Sequence, residues 1–197
     1  MANQKTVFEI DLNTHLLKNV SYVASPNYDE RPNDINPELI VVHGISLPPQ
    51  QFGGPGVVQL FTNQLNPLEH PYYAEIHQLK VSAHVFIRRD GQVIQFVPFH
   101  QRAWHAGLSN FNGRERCNDF SVGIELEGTD DKPYEPIQYE QLAKIILALR
   151  KAYPTIKTEN LVGHNDISPG RKTDPGEHFC WQTLQSSLNK SAEQTQV

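Results

Sequence analysis

The chain has 197 residues, 17 Lys+Arg against 22 Asp+Glu for a formal net charge of −5, 38% hydrophobic residues and two cysteines. That length suits one domain with a real core, and an acidic chain with scattered Lys and Arg argues against a nucleic-acid or membrane-surface partner. Two cysteines, Cys117 and Cys180, make no disulfide framework.

The first twenty residues include Lys5, Glu9, Asp11 and His15 and have no apolar stretch of signal-peptide length. No segment approaches a membrane span, so a cytoplasmic location with reduced thiols is expected. Residues 20–24 read as a short strand and 25–37 as a loop. Leu39-Ile40-Val41-Val42 reads as a strand that places His43 at its carboxyl end, where sheets with parallel strands commonly carry their sites. Residues 56–62 look like a short helix after Gly53-Gly54-Pro55. Residues 81–88 and 92–97 form a hairpin around Arg89-Asp90-Gly91.

Residues 120–128 alternate as a strand, with Val122 and Ile124 on one face and Gly123, Glu125 and Glu127 on the other. Leu142, Ile145, Ile146 and Leu149 give an i, i+3, i+4, i+7 stripe that predicts a helix over 137–153, stopped by Pro154. Leu161-Val162-Gly163 is a strand leading into His164. A terminal helix is expected over 179–188 and a frayed polar tail over 191–197. No repeat is visible. The elements predict an α/β (α+β) fold over 1–197, a single domain with its core over about 20–188, in which a central mixed sheet is flanked by helices.

Residues 163–176 hold an imidazole (His164), cations (Arg171, Lys172) and a carboxylate (Asp174) in a stretch with no apolar period. With the distant His43 they supply two histidines and an acid, the minimum for a catalytic zinc site, which uses three protein ligands and leaves one position for water. A net charge of about +1 on such a site is enough to lower the water pKa to roughly 7. The competing readings are a capped strand-end histidine and an ordinary surface loop, and no H-E-x-x-H or C-x-x-C spacing decides between them. Pro175 biases Asp174 towards extended backbone, which would point Lys172 and Asp174 the same way.

Attack of water on an amide needs a base and then an acid, and one carboxylate can be both. Glu125 is the candidate and Glu127, about 6 to 7 Å further along the same face, the second choice; a solvated acidic face is the alternative. Lys172 is either an oxyanion-stabilising ammonium or a solvent-facing cation. His84 reads as a packed or supporting imidazole, and His70, His77, His100 and His178 receive no role. Trp104 offers an aromatic plane for a sugar ring, with His105 beside it, although loop packing explains both residues equally well. Arg114, Arg116, Lys80 and Lys172 could meet an anionic small substrate. A Cys117 nucleophile lacks a supporting histidine, and Asn118-Asp119 reads as a turn.

Several blocks in order resemble the AmpD-type amidases, the cytoplasmic members of the type 2 N-acetylmuramoyl-L-alanine amidases, which are related to peptidoglycan recognition proteins. They are Val41-Val42-His43, Ile45-Ser46-Leu47-Pro48-Pro49, Phe52-Gly53-Gly54-Pro55, Val81-Ser82-Ala83-His84, Arg89-Asp90-Gly91, Arg102-Ala103-Trp104-His105-Ala106-Gly107, Gly113-Arg114-Glu115-Arg116-Cys117-Asn118-Asp119, Gly123-Ile124-Glu125-Leu126-Glu127-Gly128 and 164–176. The resemblance implies one Zn²⁺ per chain on His43, His164 and Asp174, catalysis by Glu125 and Lys172, and substrate contacts from Lys80, Trp104, His105 and Arg116. It implies hydrolysis of the bond between the lactyl group of (1,6-anhydro-)N-acetylmuramic acid and L-alanine in soluble muropeptides, by a monomer with no nucleic-acid or membrane partner. Gly44 and Lys80 depart from the family's usual Asn and Arg, and Lys cannot reproduce Arg's bidentate grip on a carboxylate. A non-catalytic peptidoglycan-binding module and a lytic amidase acting on intact wall are the alternatives.

Overall fold

The computed structural model describes residues 7–195. In chain order they form β1 (Ile10–Asp11), β2 (Leu16–Leu17), β3 (Ser21–Tyr22), β4 (Tyr28–Glu30), β5 (Leu39–Ile45), α1 (Gly56–Phe61), α2 (Pro71–Ile76), β6 (Val85–Ile87), β7 (Val93–Gln95) and β8 (Gln101–Ala103). There follow β9 (Asn110–Phe111), β10 (Arg114–Glu115), β11 (Ser121–Glu127), α3 (Pro136–Ala152), β12 (Leu161–Gly163), α4 (His164–Ile167) and α5 (Trp181–Thr195). Six strands make one mixed sheet in the order β12-β5-β11-β6-β7-β3. All its neighbours are parallel except the β6–β7 hairpin.

β5 is central and covered on both faces, which is why it reads as an unbroken apolar run. Ile40 and Val42 share one cluster with Val122, Ile124 and Leu126 of β11, the Leu142, Ile145, Ile146 and Leu149 stripe of α3, and Leu184 and Leu188 of α5. On the opposite face Leu39 and Val41 pack with Ala106, Cys117, Phe120 and Ile167. Pro136 starts α3 without the loss of a helical hydrogen bond, and the backbone N–H of Glu135 donates to the Gln138 side chain at 2.9 Å. The Gln138 amide then donates to the carbonyls of Ile87 and Glu127, tying the helix start to the sheet.

The structure differs from the sequence expectations at the shortest elements. The loop expected over 25–37 contains β4, which pairs with β8, and a 3₁₀ turn at Pro32–Asp34. Three residues, Tyr28-Asp29-Glu30, are too few to show a period. His70 and His77 bracket α2: His70 Nδ1 accepts from the Tyr72 N–H, and Pro71 takes the first helical position. β9 and β10 form a ribbon whose Asn112-Gly113 turn has φ of 51° and 85°, the positive values of a hairpin turn. α5 continues to Thr195, so 191–195 of the expected tail is helical, and 196–197 lie outside the described residues.

Candidate functional site

Strand register builds the site. His43 of β5 is level with Glu125 of β11, and Val42 is level with Gly163 of β12, so His164, the next residue, arrives beside His43. Three side chains thus form a row at the carboxyl ends of adjacent parallel strands. His43 and Glu125 lie on the sheet face away from α3. Asp174 reaches the row from a reverse turn closed by Gly176 N–H to Thr173 C=O at 3.0 Å. The Asp174–Pro175 peptide is cis and sits inside the turn. The turn is tied down on both sides. The Asn165 N–H donates to the Asp174 carbonyl at 2.9 Å, and the Tyr134 hydroxyl donates to the Pro175 carbonyl at 2.8 Å. A Cβ at residue 44 would press on that hydroxyl, so Gly44 leaves room for it.

Among the described residues, His43, His164 and Asp174 are the one group of three His, Cys, Asp or Glu side chains whose ligand atoms converge, all within 4.8 Å. His43 Nδ1 lies 3.0 Å from His164 Nδ1 and 3.1 Å from Asp174 Oδ2, and His164 Nδ1 lies 3.1 Å from the same oxygen. Ligands of a tetrahedral ion with bonds of about 2.0–2.1 Å stand roughly 3.3 Å apart, so the triangle has the right size. The donor chemistry agrees. His164 Nε2 faces the Ala106 carbonyl at 3.1 Å, an atom that only accepts, so a proton on Nε2 has a partner there and Nδ1 is left for a cation shared with Asp174. Burial pushes the His43 imidazole down to about 4, against the hydrogen bond with Asp174 that raises it. Burial would raise the Asp174 carboxyl, but His164 and His43 outweigh it and hold it below the usual carboxylate range. Electron pairs from two imidazoles and a carboxylate facing one another are a cation's site.

Glu125 is buried, with Oε1 4.0 Å from His43 Nδ1 and Oε2 without a hydrogen-bond partner. Burial, reinforced by the Asp174 charge, drives its carboxyl well above the ordinary range, and Lys172 opposes this. Lys172 is exposed, yet its charge is felt at both His43 and Glu125. Glu127 plays a structural part instead. Its carboxylate accepts from the Gly53 N–H at 2.6 Å and the Arg89 N–H at 3.1 Å, pinning two loops.

The remaining expected residues separate. Trp104 is held by its indole N–H donating to Asp29 Oδ1 at 3.2 Å, and Asp29 in turn takes the fork of Arg102. Arg116 is 72% exposed and pairs with Asp119, Arg114 pairs with Glu38 over the Phe120 ring, and Lys80 is exposed between α2 and β6. His105 has both ring nitrogens near protein groups, Nδ1 2.9 Å from His43 Nε2 and Nε2 3.2 Å from Ser121 Oγ. Cys117 is buried in the small cluster under β5, and burial raises its thiol, opposite to what a nucleophile needs. His84 is packed, not a ligand: its Nδ1 accepts from the Gly123 N–H, and burial followed by the Arg31 charge pushes it down to about 3. Arg31, 5% exposed, donates to the carbonyls of Phe99, Asn118, Asp119 and Ser121. Sequence reasoning gave Tyr134, Arg31 and Asn118 no part, because their partners are distant in the chain. Gly123 carried a readable signal as a small residue on the Glu125 face. A Cβ there would stand 2.6 Å from His105 Nδ1 and closer still to its Cγ. Gly123→Ala is expected to cost about 1–3 kcal/mol in urea denaturation through overpacking.

Comparison with known proteins agrees with this geometry. The N-acetylmuramoyl-L-alanine amidase family profile matches residues 33–177. The chain is 56% identical over 168 residues to 1,6-anhydro-N-acetylmuramyl-L-alanine amidase AmpD of Escherichia coli, covering 85% of this chain and 91% of that one. A crystal structure of a Se-Met AmpD derivative superposes with a TM-score of 0.88 at 54% identity, covering 91% of this chain and 98% of the other. The Escherichia coli amidase AmiD, solved in complex with the substrate anhydro-N-acetylmuramic acid-L-Ala-D-gamma-Glu-L-Lys, superposes with a TM-score of 0.56 at 30% identity, over 78% of this chain and 57% of that one. With a matching profile over most of its length and relatives above half identity, the chain belongs to the N-acetylmuramoyl-L-alanine amidase family.

Proposed function

We propose that this chain, acting as a single domain, is a zinc-dependent amidase that cleaves the bond between the lactyl group of 1,6-anhydro-N-acetylmuramic acid and L-alanine. The observation that carries the reading is the convergence of His43, His164 and Asp174 beside a buried Glu125. The substrate class is supported by the activity for which the Escherichia coli AmpD relative is named and by the anhydro-muropeptide bound to AmiD. The resemblance to the AmpD type carries the rest: a monomeric cytoplasmic enzyme of cell-wall recycling. Among the described residues no helix is long and apolar enough to cross a membrane.

His43 Nδ1, His164 Nδ1 and Asp174 Oδ2 would hold the ion, which when bound supplies a Lewis acid that polarises the lactyl carbonyl and makes water nucleophilic at neutral pH. Glu125 takes the proton from the attacking water and delivers it to the leaving alanine nitrogen, so one buried carboxylate serves both halves of the reaction. Lys172 places its ammonium against the developing oxyanion. Trp104, with its plane set by Asp29, takes the sugar face, and Arg116 and Lys80 meet the substrate's carboxylates.

The test is hydrolysis of an anhydro-N-acetylmuramyl peptide before and after metal stripping. Activity is expected to vanish with a chelator and return with one equivalent of zinc. Undiminished turnover by the stripped protein defeats the metal reading. Tight muropeptide binding without hydrolysis in the zinc-loaded protein marks a binding module, and faster release from polymeric sacculi than from soluble muropeptides marks a lytic amidase.

A further inference from the structure

Two adjacent loop residues stand behind both imidazoles. The far nitrogen of His43, Nε2, lies 2.9 Å from His105 Nδ1, and the far nitrogen of His164, Nε2, lies 3.1 Å from the Ala106 carbonyl. A neutral imidazole carries its proton on one nitrogen only, so Nδ1 is available to a metal only when Nε2 holds the proton and has an acceptor. For His164 the Ala106 carbonyl supplies that acceptor. For His43 the acceptor is His105, while Asp174 Oδ2, 3.1 Å from Nδ1, competes for the proton until a cation takes that place. With the His105 proton on Nε2, donated to Ser121 Oγ at 3.2 Å, its Nδ1 accepts from His43 and frees the ligand atom. The opposite assignment forces the His43 proton onto Nδ1 and blocks it.

The loop that carries these acceptors is itself clamped. Oδ1 of Asn118 accepts from the N–H groups of both His105 and Ala106, at 3.1 and 2.8 Å, and the Asn118 carbonyl is held by buried Arg31 at 3.1 Å. The His105 ring occupies space that a Cβ at residue 123 would fill, 2.6 Å from Nδ1, so Gly123 leaves room for it. From the other side Arg171 donates to the Ala106 carbonyl at 2.7 Å. The backing of the site is therefore one short segment, fixed at both of its peptide N–H groups.

We propose that His105–Ala106 is a positioning element that fixes the tautomers of both proposed ligands, with Asn118 as its clamp, and that His105 is a positioning residue and not a substrate contact. The inference rests on the reading of His43 and His164 as metal ligands. Removing such outer partners typically lowers metal affinity about 10–100-fold.

The experiment measures zinc affinity by chelator competition in the wild type, His105→Leu, His105→Asn and Asn118→Ala, together with the His105 tautomer by two-bond ¹⁵N–¹H correlation in the zinc-loaded wild type. His105→Leu keeps the side-chain branching but offers no acceptor, and is expected to bind zinc about 10–100-fold more weakly. His105→Asn places an oxygen where Nδ1 was and is expected to restore zinc affinity. Asn118→Ala weakens zinc binding with the residue at 105 unchanged, and carries the test if the leucine variant does not fold. Zinc affinity of His105→Leu equal to wild type, or a proton on His105 Nδ1 in the zinc-loaded wild type, overturns the inference. Failure of the wild type to bind zinc at all overturns the metal reading instead.

Discussion

Asp174→Ala is expected to lose bound metal and turnover together, whereas Lys172→Ala is expected to keep its metal and lose about 10²–10³ in kcat. The two positions are two residues apart in one loop, and their environments differ in kind. Asp174 Oδ2 lies 3.1 Å from the near nitrogen of each histidine, so removing it leaves two neutral donors and no charge to hold a divalent ion. Lys172 lies outside the donor triangle, exposed, and reaches the site through its charge at Glu125 and His43. Metal content by atomic absorption and kcat on the same preparations separate the two effects. Full turnover by Lys172→Ala would remove that side chain from the mechanism.

Glu125→Gln is expected to retain zinc and lose about 10²–10⁴ in kcat, the usual size of a general acid–base contribution. The exchange conserves shape, so the buried position beside His43 is filled as before while the proton acceptor is gone. Glu127→Gln is the matched control: it weakens the acceptor for the Gly53 and Arg89 N–H groups, so stability falls while turnover stays near wild type. If loss of turnover instead followed Glu127, the assignment of the base would move two residues along β11.

The longer elements were legible because their patterns persist over several residues. The buried run at 39–42, the alternation at 121–127 and the α3 stripe each recur as observed elements, and the alternation put Glu125 on the correct face. Strands of two or three residues, such as β4, β8, β9 and β10, carry no period, and β4–β8 pairing joins segments more than 70 residues apart. Pro71 and Asn112-Gly113 are local signals that stand outside any longer pattern, and neither α2 nor the β9–β10 ribbon was anticipated from them. Within the site, the types His43, His164 and Asp174 could be picked out locally, but their convergence depends on the register of two strands and a distant turn. The part played by His105 depends on which nitrogen of a neighbouring ring holds a proton, a property without any local sequence mark.

The row of His164, His43 and Glu125 is set by main-chain pairing, and this makes the protein unevenly tolerant of redesign. Connections that leave the sheet and return are not equally free: the stretch between β5 and β6 seats Val57, Leu60, Phe61 and Tyr73 against Phe86 and Ile94, so its exposed turns, such as the one around Leu68, can be exchanged while its buried face cannot. The segments over 104–119 and 171–176 have no such freedom, because each places atoms against the row itself. A scaffold borrowed for other metal chemistry would inherit its precision from the strands and its selectivity from those two inserts.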